Sequence, residues 1–466
     1  MRNPMSKRRG SLRWGKPELP SGEDGALLPW AGCDLDSFEV PINRDFSRLA
    51  EHTSSAFPFP QPPFLLHDDN GDDNIFTNWS KCDPYCDRDN GKPYDAPFIS
   101  EAYVTLPSFN VTNFYLFARG ANAQGRVKYI QNPNVDRPTV SVKLYYWHPE
   151  MRNSVMVCML AHNDTSQGVG IFTPDKRWDW MPTKQRDVSF DILVVLPGGN
   201  YRKVDQLHSN VPKFNQLLYH LDSGLDVVDV RATDGHVAIE GELHAKVINI
   251  ITTSGAIKGD FWIDGSLRLE TMNSNIDAEI QMINKRSTPT TAVLKSSNGS
   301  ITVVWRLSSL ENRTSPTYPG HHGHFTINAT TSNAPVYHTF KYAPINPDVI
   351  FDTQTSNSLA LVALWRTMES PFEMSGLNGF IDSHLTSNDD PMHLGREPVY
   401  KVLAVTPYKL QGYFDWRQPP PTIDTSLDTG SKITDGGAGE QSTGLTISKS
   451  CTRIIAENGY PMLSFV

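Results

Sequence analysis

The sequence predicts an all-β protein whose body is a β-solenoid or β-helix-like stack of repeats. Three observations lead there. Apolar residues alternate with polar ones over many short stretches, the period of a strand with one buried face. The same Asn/Asp/Ser-Gly corner recurs between such stretches. Few stretches of the 466 residues carry a sustained helical period.

Residues 1–99 read as a largely disordered, Pro-rich N-terminal region. FPFPQPPF at 57–64 has the composition of a polyproline-type segment, and HDDNGDDN at 67–74 is polar turn material. Residues 100–224 read as a β-rich part or cap. SVKLYYW (141–147), VMVCML (155–160) and VSFDILVVLP (188–197) are β-branched or aromatic runs, bounded by Pro, Gly and Asn. KFNQLLYHL at 213–221 reads as a short helix.

From 225 to 416 the chain aligns on its corner as apolar-x-apolar-x-small-x-Asn/Asp/Ser-small-x-apolar. Val228, Val230, Ala232, Asp234, Gly235 and Val237 make the first copy. Ile248, Ile250, Thr252, Ser254, Gly255 and Ile257 make the second. The pattern recurs from Leu267 to Ile276, from Ala292 to Ile301, and in weaker form from Ile327 to Val336, Phe351 to Ala360 and Phe372 to Ile381. An eighth copy, Ile454, Ala456, Asn458 and Gly459, lies in a terminal β repeat (447–466) that returns to the body. Residues 417–446, rich in Pro, Gly, Ser and Thr, read as a flexible loop or linker.

Two folds satisfy the pattern. In a hairpin, Ala232 would lie opposite Val237 and Val230 opposite Ile239. In a solenoid each copy is one coil, and equivalent residues stack. The shared register of the first copies favours the solenoid. A coil of about 20 residues cannot offset its own ordering cost of roughly 1–2 kcal/mol per residue, so copies must come in stacks. The corner residues suit a bend because Asn, Asp and Ser bond their own backbone and Gly or Asn tolerates positive φ.

The stretches ITTSGAIKG (251–259), LKSSNGSI (294–301) and PFEMSGLNGFID (371–382), followed by DDP (389–391) and LQGYFDW (410–416), resemble the adhesin-like β-solenoid repeats of bacterial and fungal proteins. More narrowly, the chain resembles an uncharacterised family of basidiomycete fungal proteins, over about 100–416 and again at RIIAENGYPMLSF. The resemblance implies a repetitive β scaffold and brings no catalytic residues to transfer.

A formal charge of −9 argues against general nucleic-acid binding. The basic cluster Lys7, Arg8, Arg9, Arg13 and Lys16 reads as a solvated tail in preference to a targeting address. No secretory signal is visible, and apolar runs such as LALVALW (359–365) are too short to span a bilayer, so the balance leans towards the cytoplasm. Five cysteines do not make a disulfide framework. The sequons at Asn78, Asn110, Asn163, Asn298, Asn312 and Asn328 are about as many as chance supplies in such a chain.

Candidate chemistry is sparse. Cys82 and Cys86 have ligand-like spacing, and Asp87, Asp89 and Asp95 surround Asn90-Gly91 as in part of a calcium loop. No second Cys/His pair completes a zinc site, and a polar loop or local disulfide is preferred. HHGH (321–324) reads as a solvated loop. Asp234, Asp264 and Asp277 are considered as paired carboxylates, but two of them precede glycines and suit turns. Trp178 and Trp180 offer a binding platform or, as favoured here, a cap over the first coil. No catalytic, cofactor-binding or metal residue is assigned. The expected function is non-enzymatic binding or structural support, with a face for a protein or glycan partner. The alternative is a polysaccharide hydrolase or lyase on a β-helix scaffold.

Overall fold

The structure is a computed structural model. It describes residues 80–81, 98–175, 188–198, 204–221, 224–285, 288–310, 322–376, 380–382, 390, 394–406, 409–417 and 451–465. The N-terminal region up to 79 and the 417–446 segment lie otherwise outside the described residues. Within them the protein is all-β, with a single five-residue helix at Pro149–Asn153.

The strands form one network of mixed parallel and antiparallel pairings. Its centre consists of two parallel series. In the first, Leu225–Arg231 is followed by the C-terminal half of Val237–Ile251, that of Ile257–Thr271, then Thr290–Ser296, His324–Thr331 and Asp348–Thr355. In the second, Lys213–Tyr219 is followed by the N-terminal halves of the same two long strands, then Ile276–Asn284, Ile301–Ser309, Val336–Tyr342 and Ala360–Leu364.

The register is the one in which each corner lies on the next. Val228 pairs with Ile248, Ile248 with Leu267, Leu267 with Ala292, Ala292 with Ile327 and Ile327 with Phe351. Beyond the corner, Val237 pairs with Ile257, then Ile276, Ile301, Val336 and Ala360 in turn. These side chains are buried in one core cluster shared by both series. The antiparallel hairpin at the first corner does not form: Val230 pairs in parallel with Ile250, one repeat on.

Two expectations are corrected. Residues 213–221 are not a helix; Lys213–Tyr219 is a strand, parallel to Gln124–Asn132 on one side and to Val237–Ile251 on the other. Gln216 occupies an inward position between Phe214 and Leu218, and its amide is consumed there: its carbonyl accepts from the Ser209 hydroxyl (2.6 Å) and its NH₂ donates to the Arg231 carbonyl (3.0 Å). In the copy that starts at Phe372, Gly376 pairs with Ala456, but Ile381 pairs with Leu463 and not with Pro461. That corner is therefore two residues shorter than its neighbour.

The corners stack through three devices. Gly235, Gly255, Gly299 and Gly459 all have negative φ, so the freedom to adopt positive φ is not why glycine stands there. A Cβ at each would collide with a backbone carbonyl of the neighbouring corner: Phe214, Gly235, Ser274 and Ser358 respectively. At these four corners glycine permits the close approach, while the aligned positions of the other corners carry Ser274, Ala334 and Ser358. Second, Asn298, Asn333, Asn357 and Asn458 each donate Nδ2 to the Oδ1 of the preceding corner's asparagine, starting at Asn273, at 2.8, 2.8, 2.8 and 2.9 Å. Third, the buried hydroxyls of Thr252, Thr271, Ser296, Thr331 and Thr355 donate to corner carbonyls of Gly255, Gly255, Ser274, Gly299 and Ala334.

Antiparallel pairings bracket the parallel series. Phe98–Thr105, Thr139–Tyr146 and Ser189–Pro197 pair antiparallel in sequence, as do Met156–Asn163 and Ser166–Phe172. At the other end Ser370–Gly376, Lys409–Arg417 and Glu397–Thr406 do the same. Asp390, from the DDP motif, is buried and grips Arg396, whose guanidinium also reaches Glu369 (both 2.9 Å). The Trp416 indole donates to the Arg366 carbonyl at 2.7 Å. The segment 451–465 does not extend an end. Cys451–Ala456 lies between Asp348–Thr355 and Ser370–Gly376, and Pro461–Phe465 between Ala360–Leu364 and Phe380–Asp382.

Two substitutions test the corner stacking by urea denaturation. Asn333→Ala removes two ladder hydrogen bonds and is expected to cost about 2 kcal/mol. Gly299→Ala forces neighbouring corners apart and is expected to cost about 3 kcal/mol, the upper end of overpacking penalties. Wild-type stability for either variant would show that the corners are not in contact.

Candidate functional site

A concavity in the described part of the molecule lies beside the asparagine ladder. It is an open groove of about 470 Å³ across six neighbouring strands of the first parallel series, from Val237–Ile251 to Cys451–Ala456. Three adjacent positions of the repeat line it. The outward row before the corner contributes Ile251, Glu270, Lys295, Thr330, Gln354 and Ile455. The middle row is the hydroxyl column already described. The corner row contributes Thr253, Met272, Ser297, Ser332, Ser356 and Glu457.

The rows differ in what they offer. Middle-row hydroxyls are buried and their protons are already given to backbone carbonyls, so they hold the corner together. Glu270 is engaged by Arg268 at 2.9 Å. Lys295, Ser332 and Glu457 are exposed, while Thr330, Gln354, Ser297 and Ser356 are partly so. The groove thus presents hydroxyl, amide and a few charged groups at the strand spacing of roughly 4.8 Å. It holds no cysteine or histidine, and its carboxylates come from Glu270 and Glu457.

The residues singled out by sequence fare differently. Cys82, Cys86, Asp87, Asp89, Asp95, Trp178, Trp180 and His321 lie outside the described residues. His322 is exposed with φ of 54°, and the His324 ring stands 3.0 Å from the Asp348 carboxylate. Among the described residues no three His, Cys, Asp or Glu side chains come together as a metal site. Asp264 is bound by Lys285 at 2.7 Å, and Asp277 faces Lys258 at 3.9 Å. Because Asp277 pairs with Lys258 on the strand that carries Asp264, the two carboxylates sit six positions apart, roughly 20 Å. Asp234 is exposed at a corner, its amide bonded to the Pro212 carbonyl. The three aspartates do not converge. Cys158 carries a free thiol whose pKa burial raises, and Cys451 is disulfide-bonded.

Charges on the outer faces are paired in place. Burial works to raise the Asp229 pKa, but the His208 ring 3.9 Å away and the hydrogen-bonded Arg231 guanidinium outweigh it and hold the carboxyl below its usual range. Glu242, Asp260 and Glu279 are register neighbours, and Arg306 and Lys341 both reach Glu279. Burial and then repulsion from Glu279 raise Asp260.

Sequence reading assigned the asparagines of the corner to turn chemistry and missed their ladder. It also missed the groove. The available signal was the recurrence of Asn at one aligned position from 273 onward, with hydroxyl residues two and one positions before it at Asn298, Asn333 and Asn357.

No protein-family model matches the chain, and no curated protein matches it. Two solved structures are similar at low level. A proposed cell adhesion protein from Clostridium sporogenes ATCC 15579 aligns at 8% identity and a TM-score of 0.17, over 79% of this chain and 100% of that one. A proposed adhesin from Parabacteroides merdae ATCC 43184 aligns at 9% identity and 0.27, over 56% and 97%. Likeness at these scores carries no argument about fold or function.

One histidine is fully buried in the core. His338 accepts the Trp305 indole N–H on Nδ1 at 2.9 Å, which places its own proton on Nε2, 3.2 Å from the Thr353 hydroxyl. Burial lowers its pKa to about 3. In the unfolded chain the imidazole protonates near its ordinary value of 6.5, so only the unfolded state takes up this proton between the two pH values. The contribution is complete above pH 6.5 and is lost as pH falls towards 3. Between pH 7 and 4.5 it amounts to about 3 kcal/mol. Denaturation at both pH values is expected to show His338→Asn losing that much less than wild type, and equal losses would place the imidazole in contact with water.

Proposed function

We propose that the chain is a non-enzymatic, adhesin-like binding protein whose body is a β-solenoid and whose polar groove receives a glycan. The two parallel series are then opposite walls of one winding, since each repeat contributes a strand to each wall and both walls share a core. The antiparallel regions at the two ends act as caps, residues 100–224 on one side, and shield strand edges that would otherwise recruit other chains.

The observation that carries the functional reading is the groove's lining. It spreads hydroxyl, amide and a few charged groups over six stacked strands, a lining suited to a polar polymer with many hydroxyls. A protein partner is the second reading, but a protein interface normally centres on aromatic and large apolar anchors, and the groove has only Ile251, Met272 and Ile455. The hydrolase or lyase alternative needs two carboxylates within about 5–10 Å across a sugar, which Asp264 and Asp277 do not provide. The disulfide at Cys451 fits an oxidising compartment better than the cytoplasm.

A glycan array probed with the full chain and with the double variant Thr330→Arg, Gln354→Arg tests the reading. Both positions face the groove and are half-buried, so the variant is expected to fold and to lose at least tenfold in binding. No bound glycan, or equal binding by the variant, overturns the assignment.

A further inference from the structure

The segment 451–465 occupies a gap that the rest of the chain leaves open. After Ala360–Leu364 the chain reaches Ser370–Gly376 in five residues, yet Ser370–Gly376 does not pair with Asp348–Thr355, the preceding strand of its series, nor Phe380–Asp382 with Ala360–Leu364. Each series skips one strand position there, a spacing of roughly 9.5 Å instead of 4.8 Å. The gap is filled from far along the sequence: Thr353 pairs with Ile454 and Ile454 with Met374, while Val362 pairs with Leu463 and Leu463 with Ile381.

The fit is that of a complete repeat. Ile454, Ala456 and Leu463 are fully buried in the common core. Asn458 supplies the last rung of the ladder, and Gly459 makes the close corner contact. The Arg453 guanidinium binds both carboxylate oxygens of Asp352 (3.1 and 2.7 Å), a pair made only between the inserted segment and its slot.

We propose that segment 451–465 is an exchangeable strand donor, which can fill the same slot in a second copy of this chain and link the two reciprocally. Every contact that holds it in its own chain is available unchanged in another. Exchange therefore costs no contact, and the balance is set by the effective concentration of the tethered segment. Residues 418–450 connect it to the body and can span up to roughly 110 Å when extended, enough to reach its own slot or a neighbour's. While the slot is empty, strands 350–355 and 372–376 expose unpaired backbone edges that favour capture of any matching repeat.

Charge reversal across the Asp352–Arg453 pair tests this. In Asp352→Arg the slot repels its own Arg453, and in Arg453→Asp the segment is repelled by its own Asp352. Exchange between the two variants restores opposite charges in both slots. Full-length variants carrying different tags are refolded separately and together under reducing conditions, which frees Cys451, and are resolved by mass. The mixture is expected to yield dimers containing both tags, at least tenfold more abundant than dimers of either variant alone. A mixture of folded monomers overturns the proposal. Should circular dichroism show either variant unfolded, two differently tagged wild-type chains refolded together decide it: co-purification of the tags supports exchange and its absence overturns it.

Discussion

Parallel, in-register pairing of equivalent residues is the constraint on which the rest of this molecule depends. Once Ile248 is laid on Leu267 and Ile257 on Ile276, every side chain faces its own counterpart one strand spacing away. Apolar columns tolerate this without difficulty. Polar columns do so only if the residue can satisfy itself. Asparagine can, because one amide is donor and acceptor, and the run from Asn273 to Asn458 repeats a single hydrogen bond four times. Like charges need a cation, supplied from within the column or from beside it. Arg453 lies between Asp352 and Glu373, and Glu279 draws on Arg306 and Lys341.

The same constraint explains how much could be read in the sequence. A period of two and a repeated corner are local signals, and the aligned positions from Val228 to Phe351 coincide with the register observed. The misreading at 213–221 came from a buried polar residue. Gln216 breaks the apolar alternation, while Phe214, Leu217, Leu218 and Leu221 imitate a helical stripe. What makes Gln216 acceptable inside is its bonding to Ser209 and Arg231, which sequence does not display. The glycine of the corner was legible as important but for the wrong physical reason, since the crowding carbonyl belongs to the neighbouring corner.

The candidate site was less legible because it is a property of neighbours. No single repeat contains the groove. It arises when the outward row through Thr330 and Gln354 and the corner row through Ser332 and Ser356 are brought alongside one another. Residues chosen for individual chemical character, such as Asp264, proved to be held by ion pairs on separate parts of the surface. The groove spreads its polar groups over six neighbouring strands instead of gathering them at one point.

The bends of each repeat are not equal. The Ser-Gly or Asn-Gly corner has almost constant length, because glycine and asparagine there must meet their counterparts. The opposite bend does not: Val237–Ile251 and Ile257–Thr271 pass it as unbroken strands, while the chain takes five residues between Leu364 and Ser370 and fourteen between Ser309 and His324. Chain length therefore varies along one line of bends, while the other is held nearly constant by the amide bonds from corner to corner. Residues added on that variable side leave the amide bonds of the asparagine ladder in register.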